Sequence, residues 1–323
     1  MTVAEKSLRI LGAEDIAAVL TYPALVEALR EAFRSDITVP PRHHHTVPQP
    51  GRAATLLLMP AWRVAGDAAG RFLGCKIVTV FPDNAAARQP SLHGQYLLMS
   101  GATGEPLAVM DARALTAWRT AAASALAATF LARQDASHLL MIGAGSLAPH
   151  LIRAHAAVRP IKRVTLWNRT HSHAVSVAFG LAVAGVDVEI ADDLEAAVAA
   201  ADIVSCATLA TTPVLRGGWL RPGTHVDLVG GFTRKMREAD NDAVKRARVY
   251  VDTRAGALKE AGDIVIPLQR GIIARTNIHG DLFELCAGKA KGRGSDKQIT
   301  LFKSVGSAIE DLAAAMLVWR GVG

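Results

Sequence analysis

The residues whose spacing most directly suggests chemistry are Gly143–Ala144–Gly145–Ser146–Leu147–Ala148, which follow the apolar run Leu139–Leu140–Met141–Ile142. A bare Gly-x-Gly-x-x-Ala is a common turn. Placed between a buried strand and a helix reaching about residue 157, it reads as a seat for the pyrophosphate of a dinucleotide. Gly143 permits the tight turn, Gly145 lets backbone approach the phosphates, and Ala148 lets helix and strand pack closely. At Ser146 and Leu147 the helix start offers unpaired N–H groups and the positive end of its dipole.

A second set of groups follows about twenty residues later. The strand Val164–Thr165–Leu166–Trp167 ends in Asn168–Arg169–Thr170, where an NAD-selective site would end in Asp or Glu. An acid there would repel a ribose 2′-phosphate, whereas these three side chains supply donors and one positive charge. The expected cofactor is therefore NADPH, with NADH as the second option. Two further cofactor contacts are expected where ligands gather at the carboxyl ends of parallel strands, at Thr208 and at 229–231, which include Val229 and Gly230.

Other candidates carry less. His43–His44–His45 puts its first and third rings on one face of an extended segment, but no Cys, Asp or Glu cluster completes a metal site, and none is expected. Cys75, Cys206 and Cys286 are scattered, an odd number without ligand spacing, which suggests free thiols in the cytoplasm. There is neither a secretory leader nor an apolar run long enough to span a bilayer. The formal charge of +7 invites a nucleic-acid partner, but the basic residues are dispersed and aromatics make up only 5%. Attraction of small anions is the better use of that charge.

The elements that position these groups divide the 323 residues in two. Helical spacing over 15–20 and 23–33 precedes a proline-marked extended segment, 39–48. Strands are expected at 55–59, 74–80, 95–100 and 107–111, the last two joined as a hairpin by Gly101–Ala102–Thr103–Gly104. A helix over 114–131 leads into strand–helix alternation with strands at 138–142, 163–167, 187–191, 203–207, 225–229 and 249–251. A last helix, 307–319, is expected to return to the first half. The fold class is α/β: a Rossmann doubly wound parallel sheet at 120–303, plus a discontinuous α+β domain built from 1–119 with 304–323.

Four segments give the chain a specific likeness: Gly74–Cys75–Lys76–Ile77–Val78–Thr79, 101–111, Leu115–Thr116–Ala117–Trp118–Arg119–Thr120–Ala121–Ala122, and Thr300–Leu301–Phe302–Lys303–Ser304–Val305–Gly306. With the glycine motif at near-fixed distance after the second and third, the chain resembles the ornithine cyclodeaminase/μ-crystallin family over nearly its whole length. The resemblance implies a homodimer paired through N-terminal substrate-binding domains, with each active site in the cleft beside the Rossmann domain. It implies substrates that are α-amino or α-imino carboxylates. Lys76 and Arg119, with Arg42 less closely matched, would hold the carboxylate. Lys76 would be either a proton donor to the imine nitrogen or a carboxylate clamp alone. Thr46 and Ser304 would lie near the substrate, and Ser91, Arg119 and Val305 near the nicotinamide.

One departure narrows the choice. Cyclodeaminases carry an aspartate after a Val-Gly-Gly strand end, but here Val229–Gly230–Gly231 is followed by Phe232, which cannot transfer protons. Arg42–His43–His44–His45 is similar to runs in bacterial pyrroline-2-carboxylate reductases of the family. The resemblance thus implies NAD(P)H-dependent reduction of the cyclic ketimines Δ1-pyrroline-2-carboxylate and Δ1-piperideine-2-carboxylate to L-proline and L-pipecolate. The alternatives are an alanine-type amino-acid dehydrogenase, an ornithine cyclodeaminase, and a μ-crystallin-like NADPH-binding protein without turnover.

Overall fold

The computed structural model describes residues 8–63, 66, 70–87, 89–181 and 183–322. They fall into two compact units, Met1–Arg119 with Ser307–Gly323, and Thr120–Gly306.

The first unit is built on a six-stranded sheet. Its strands are β1 (Arg9–Leu11), β2 (His43–Val47), β3 (Ala54–Arg63), β4 (Phe72–Val80), β5 (Leu92–Ser100) and β6 (Pro106–Asp111), in the order β1-β6-β5-β4-β3-β2. β1 runs parallel to β6 and the other pairs are antiparallel. Helices α1 (Ala13–Val19) and α2 (Tyr22–Arg34) precede β2, and α3 (Ala112–Leu131) follows β6 across the division between units. In α2, Thr21 caps the first turn by accepting from the Ala24 N–H, Pro23 fits the N-terminus, and Leu25, Val26, Leu29 and Phe33 form the buried stripe. The C-terminal helix, Ala308–Val322, packs on α2 and on β3, β4 and β5.

Pairing in this sheet sets which side chains share a face. Leu11, Met110, Tyr96, Lys76 and Met59 lie directly opposite one another across five strands, and all are buried. The row beside it, Ile10, Val109, Leu97, Cys75 and Pro60, is apolar too, yet it stays exposed or half-exposed. Both faces of the sheet are therefore hydrophobic, and among the described residues only one is fully buried.

The second unit holds a fully parallel eight-stranded sheet. Its strands are β7 (His138–Ile142), β8 (Arg163–Trp167), β9 (Asp187–Ile190), β10 (Ile203–Cys206), β11 (His225–Leu228), β12 (Arg248–Val251), β13 (Ile278–Asp281) and β14 (Thr300–Lys303). Their order is β13-β12-β14-β11-β10-β7-β8-β9, so the winding reverses between β7 and β10. Helices α4 (Ala148–Val158), α5 (His171–Gly180), α6 (Leu194–Ala200), α7 (Asn241–Arg246), α8 (Arg254–Glu260), α9 (Gly262–Gln269) and α10 (Leu282–Cys286) connect them. Central strands β7, β10, β11 and β14 are buried at every residue, as a parallel sheet covered on both faces requires. Polar groups in this core are paired: Asp227 accepts from the hydroxyls of Ser124 (2.9 Å) and Ser205 (2.7 Å) and meets His155 Nε2 at 3.2 Å.

Four strands go beyond the sequence expectation. β1 has only three residues, and β2 reads as merely extended because of its flanking prolines. β13 contains Gly280 and Asp281, both poor strand formers, and β14 ends in a lysine. Lys303 is nonetheless fully buried, and β14 sits between β11 and β12, pairing with both.

Candidate active site

In the first unit the structure brings together the three cations that the sequence singles out. Lys76 projects from the buried face of β4 between Tyr96 and Met59, and Arg119 from α3. Both meet the start of the C-terminal helix. Lys76 Nζ lies 2.7 Å from Asp311 Oδ2 and 2.9 Å from Oδ1, and 3.4 Å from Thr116 Oγ1. Arg119 Nε donates to Asp311 Oδ1 at 2.9 Å, and its Nη1 donates to Glu310 Oε2 at 2.7 Å. All four charged side chains are buried.

The electrostatics follow from that geometry. Burial pulls the Lys76 ammonium down, Asp311 pulls it back up, and Arg119 and Arg42 add repulsion, leaving it at about 8. Arg42 is thus close enough to act on Lys76 through its field. Burial pushes the Asp311 carboxyl up, but Lys76 and Arg119 outweigh it and hold it below the usual carboxylate range. Burial pulls the Arg119 guanidinium down, yet Asp311 and Glu310 keep it charged, above the usual arginine range. The cluster can therefore present a fixed cation, Arg119, beside an amine able to release a proton near neutrality. The buried Tyr96 phenol, across the strand pair from Lys76, is pushed well up by burial and by the Asp311 charge, so it stays protonated.

The other candidates in this unit lie on β2 and just before β5. Thr46 is exposed on β2, paired with Thr55, and Ser91 is half-exposed before β5, its carbonyl accepting from the Phe81 N–H. His43 and His45 share a face with ring centroids 6.3 Å apart. Among the described residues, no group of three or more His, Cys, Asp or Glu side chains could hold a metal ion, and no helix is long and apolar enough to cross a membrane.

In the second unit Gly143 takes φ +105°, and a Cβ there would lie 2.6 Å from the Ala207 carbonyl oxygen, so both conformation and space demand glycine. Gly145 has open space where a side chain would project, and Gly145 and Ser146 are exposed at the start of α4. Leu147 is the N-cap of that helix and Ala148 is fully buried against the core. An open backbone at the head of an eleven-residue helix, at the strand reversal beside β7, fits a pyrophosphate. Asn168 does something that the sequence did not suggest. Its Oδ1 accepts from the Ala144 N–H (3.2 Å) and its Nδ2 donates to the Thr170 carbonyl (2.9 Å), tying the glycine turn to the β8 end. Arg169 and Thr170 are exposed beside it.

Loops after β10, β11 and β14 complete this edge of the sheet. Thr208 donates to Glu238 Oε1 from its N–H (2.7 Å) and its hydroxyl (2.9 Å). The N–H groups of Gly230 and Gly231 donate to Glu238 Oε2 at 2.8 and 3.3 Å. Burial pushes the Glu238 carboxyl up to about 7, while Lys303 pulls it back down. The N–H groups of Val305 and Gly306 both donate to Asp252 Oδ2 at 2.7 Å, which fixes the turn after Ser304.

Glu310, Asp311, Glu238, Asp263 and Asp252 escaped the sequence reading as functional candidates. The one available signal was at the C-terminal helix: two adjacent acids in a run otherwise made of Ala, Ile, Leu and Met. Buried carboxylates in such a setting need cations.

The sequence profile of the ornithine cyclodeaminase/mu-crystallin family matches residues 8–322. Protein SAR DEFICIENT 4 of Arabidopsis thaliana is 42% identical over 316 residues, covering 95% of each chain. Delta(1)-pyrroline-2-carboxylate reductase of Paracoccus denitrificans is 39% identical over 316 residues, covering 97% of this chain and 96% of that protein. The structure of Thermococcus litoralis Delta(1)-pyrroline-2-carboxylate reductase in complex with NADH and L-proline superposes with a TM-score of 0.90 at 34% identity, covering 98% and 97%.

The ion cluster generates a direct test. Asp311→Asn leaves two buried cations with one fewer counter-charge, so urea denaturation should show a loss of about 3–5 kcal/mol. Lys76, read by NMR of the lysine side chain, should titrate below its native value of about 8. An unchanged denaturation midpoint would remove Asp311 from its central place.

Proposed function

Because the chain belongs to the ornithine cyclodeaminase/mu-crystallin family, we propose that it reduces the cyclic ketimines Δ1-pyrroline-2-carboxylate and Δ1-piperideine-2-carboxylate to L-proline and L-pipecolate with NADPH. The chain is an NAD(P)H-dependent oxidoreductase, as its relatives named as reductases and the NADH-bound neighbour support. The observation that carries the finer reading is Lys76, a buried amine at about 8, beside a guanidinium suited to a carboxylate.

The dinucleotide, held by the 143–148 turn and the loops after β10 and β11, would supply hydride for C2 of the C=N bond. Arg119 offers its guanidinium to the substrate carboxylate, and Arg42 adds positive field. Lys76 Nζ gives a proton to the ring nitrogen, which makes C2 electrophilic, and then regains one from solvent. Asp311 stays ionised throughout and keeps Nζ in place. Phe232, 48% exposed after Gly231, offers no proton, which supports imine reduction over cyclodeamination.

NADPH preference rests on the exposed Arg169 and Thr170 at the end of β8, where the strand closes on Asn168 and not on an acid. The exposed apolar row of the first sheet supports a homodimer, and the thiols of Cys75 and Cys206 support a cytoplasmic setting.

Kinetics and sedimentation test these points. With either cyclic imine, reduced nicotinamide should be oxidised, whereas pyruvate with ammonium should give little turnover. Because the protonated amine is the active form, kcat/KM should be level below about 8 and fall as pH rises past it. Lys76→Met should cost about a hundred- to ten-thousandfold in kcat. No turnover of either imine would overturn the assignment. Arg169→Ala should raise the KM for NADPH about tenfold or more and leave that for NADH unchanged; equal effects would reject the 2′-phosphate contact. Sedimentation should give twice the chain mass, and a monomer at micromolar concentration would remove the proposed pairing.

A further inference from the structure

Glu238 lies between β11 and α7 with its side chain fully buried, and its two oxygens serve different loops. Oε1 takes both donors of Thr208, in the loop after β10, and Oε2 takes the N–H groups of Gly230 and Gly231, after β11. Its own N–H donates to Asp263 Oδ1 at 2.8 Å. Lys303 Nζ closes the cluster, 3.3 Å from Asp263 Oδ2 and 3.9 Å from Glu238 Oε2. Burying three charged groups is expensive, and a fold needing only stability would fill this volume with apolar side chains.

The two loops are packed on each other and on the glycine turn. A Cβ at Gly230 would lie 1.9 Å from the Thr208 carbonyl oxygen, and one at Gly143 would lie 3.2 Å from Thr208 Cγ2. The β8 end, on the other side of the strand reversal, belongs to the adenosine ribose, so the loops after β10 and β11 face the opposite half of a bound dinucleotide.

We propose that Glu238 is a positioning residue for the nicotinamide half of the dinucleotide: a single carboxylate that holds the Thr208 and Gly230–Gly231 loops in one shape. The inference rests on the dinucleotide reading above. In Glu238→Gln the amide keeps its size but turns an NH2 group towards the donors of one loop, which loses its anchor. The dissociation constants of NADPH and NADH, read by nicotinamide fluorescence, should rise at least about tenfold. That of ADP, which carries only the adenosine half, should stay within about twofold. A merely structural role would weaken ADP equally or leave all three unchanged, and either result overturns the proposal. Native protein that binds neither dinucleotide overturns the dinucleotide reading itself and this inference with it. Should the variant fail to fold, hydrogen exchange on the native protein decides. Saturating NADPH should slow the Thr208, Gly230 and Gly231 amides together by at least about tenfold, and unchanged exchange at them overturns the proposal.

Discussion

Two cations from different elements, Lys76 on a strand and Arg119 on a helix, converge on one carboxylate, Asp311, and most of what the first unit can do follows from that contact. An isolated buried charge costs several kcal/mol, and this carboxylate offsets that cost for both cations, with Glu310 as a second counter-charge for Arg119. With it, Arg119 stays fully ionised while Lys76 is left close to neutrality. The same carboxylate also decides the packing. Asp311 can reach both partners only if the C-terminal helix lies across the buried face of the sheet, so the ion cluster fixes where the last helix docks.

Much of this architecture was legible in the chain, for identifiable reasons. Strands β7 and β8 match the sequence expectation residue for residue, because each centres on a buried, mostly apolar run. The hairpin β5–β6 was announced by its glycine turn. What sequence could not show was pairing at a distance. Asp311 stands 235 positions after Lys76, and nothing local marks it as that lysine's partner. Nor does sequence show that Asn168 Oδ1 accepts from the Ala144 N–H while its Nδ2 donates to the Thr170 carbonyl, a link between the glycine turn and the β8 end. β14 was missed as a strand because Lys303 looks like a surface residue until Asp263 and Glu238 appear beside it.

The two units solve the problem of buried charge differently. In the first, paired charges sit where a ligand could join them through Arg119. In the second, Glu238 and Asp252 point inward at backbone N–H groups and shape loops rather than offering themselves to a ligand. Polar interiors of this kind specify geometry at a cost in stability. That exchange suits a binding edge made of glycine-rich turns, which otherwise have little to hold them.

The position of β14 has a consequence for how the protein is made. This strand fills the gap between β11 and β12, so until residue 303 has left the ribosome the sheet exists as two separate pieces with raw edges facing each other. The helix that completes the first unit emerges later still. From the completion of β12 to that of β14 the nascent chain exposes unpaired strand edges, a hazard for association with its neighbours. The strands already made must stay apart from other chains until β14 and the helix after it have been synthesised.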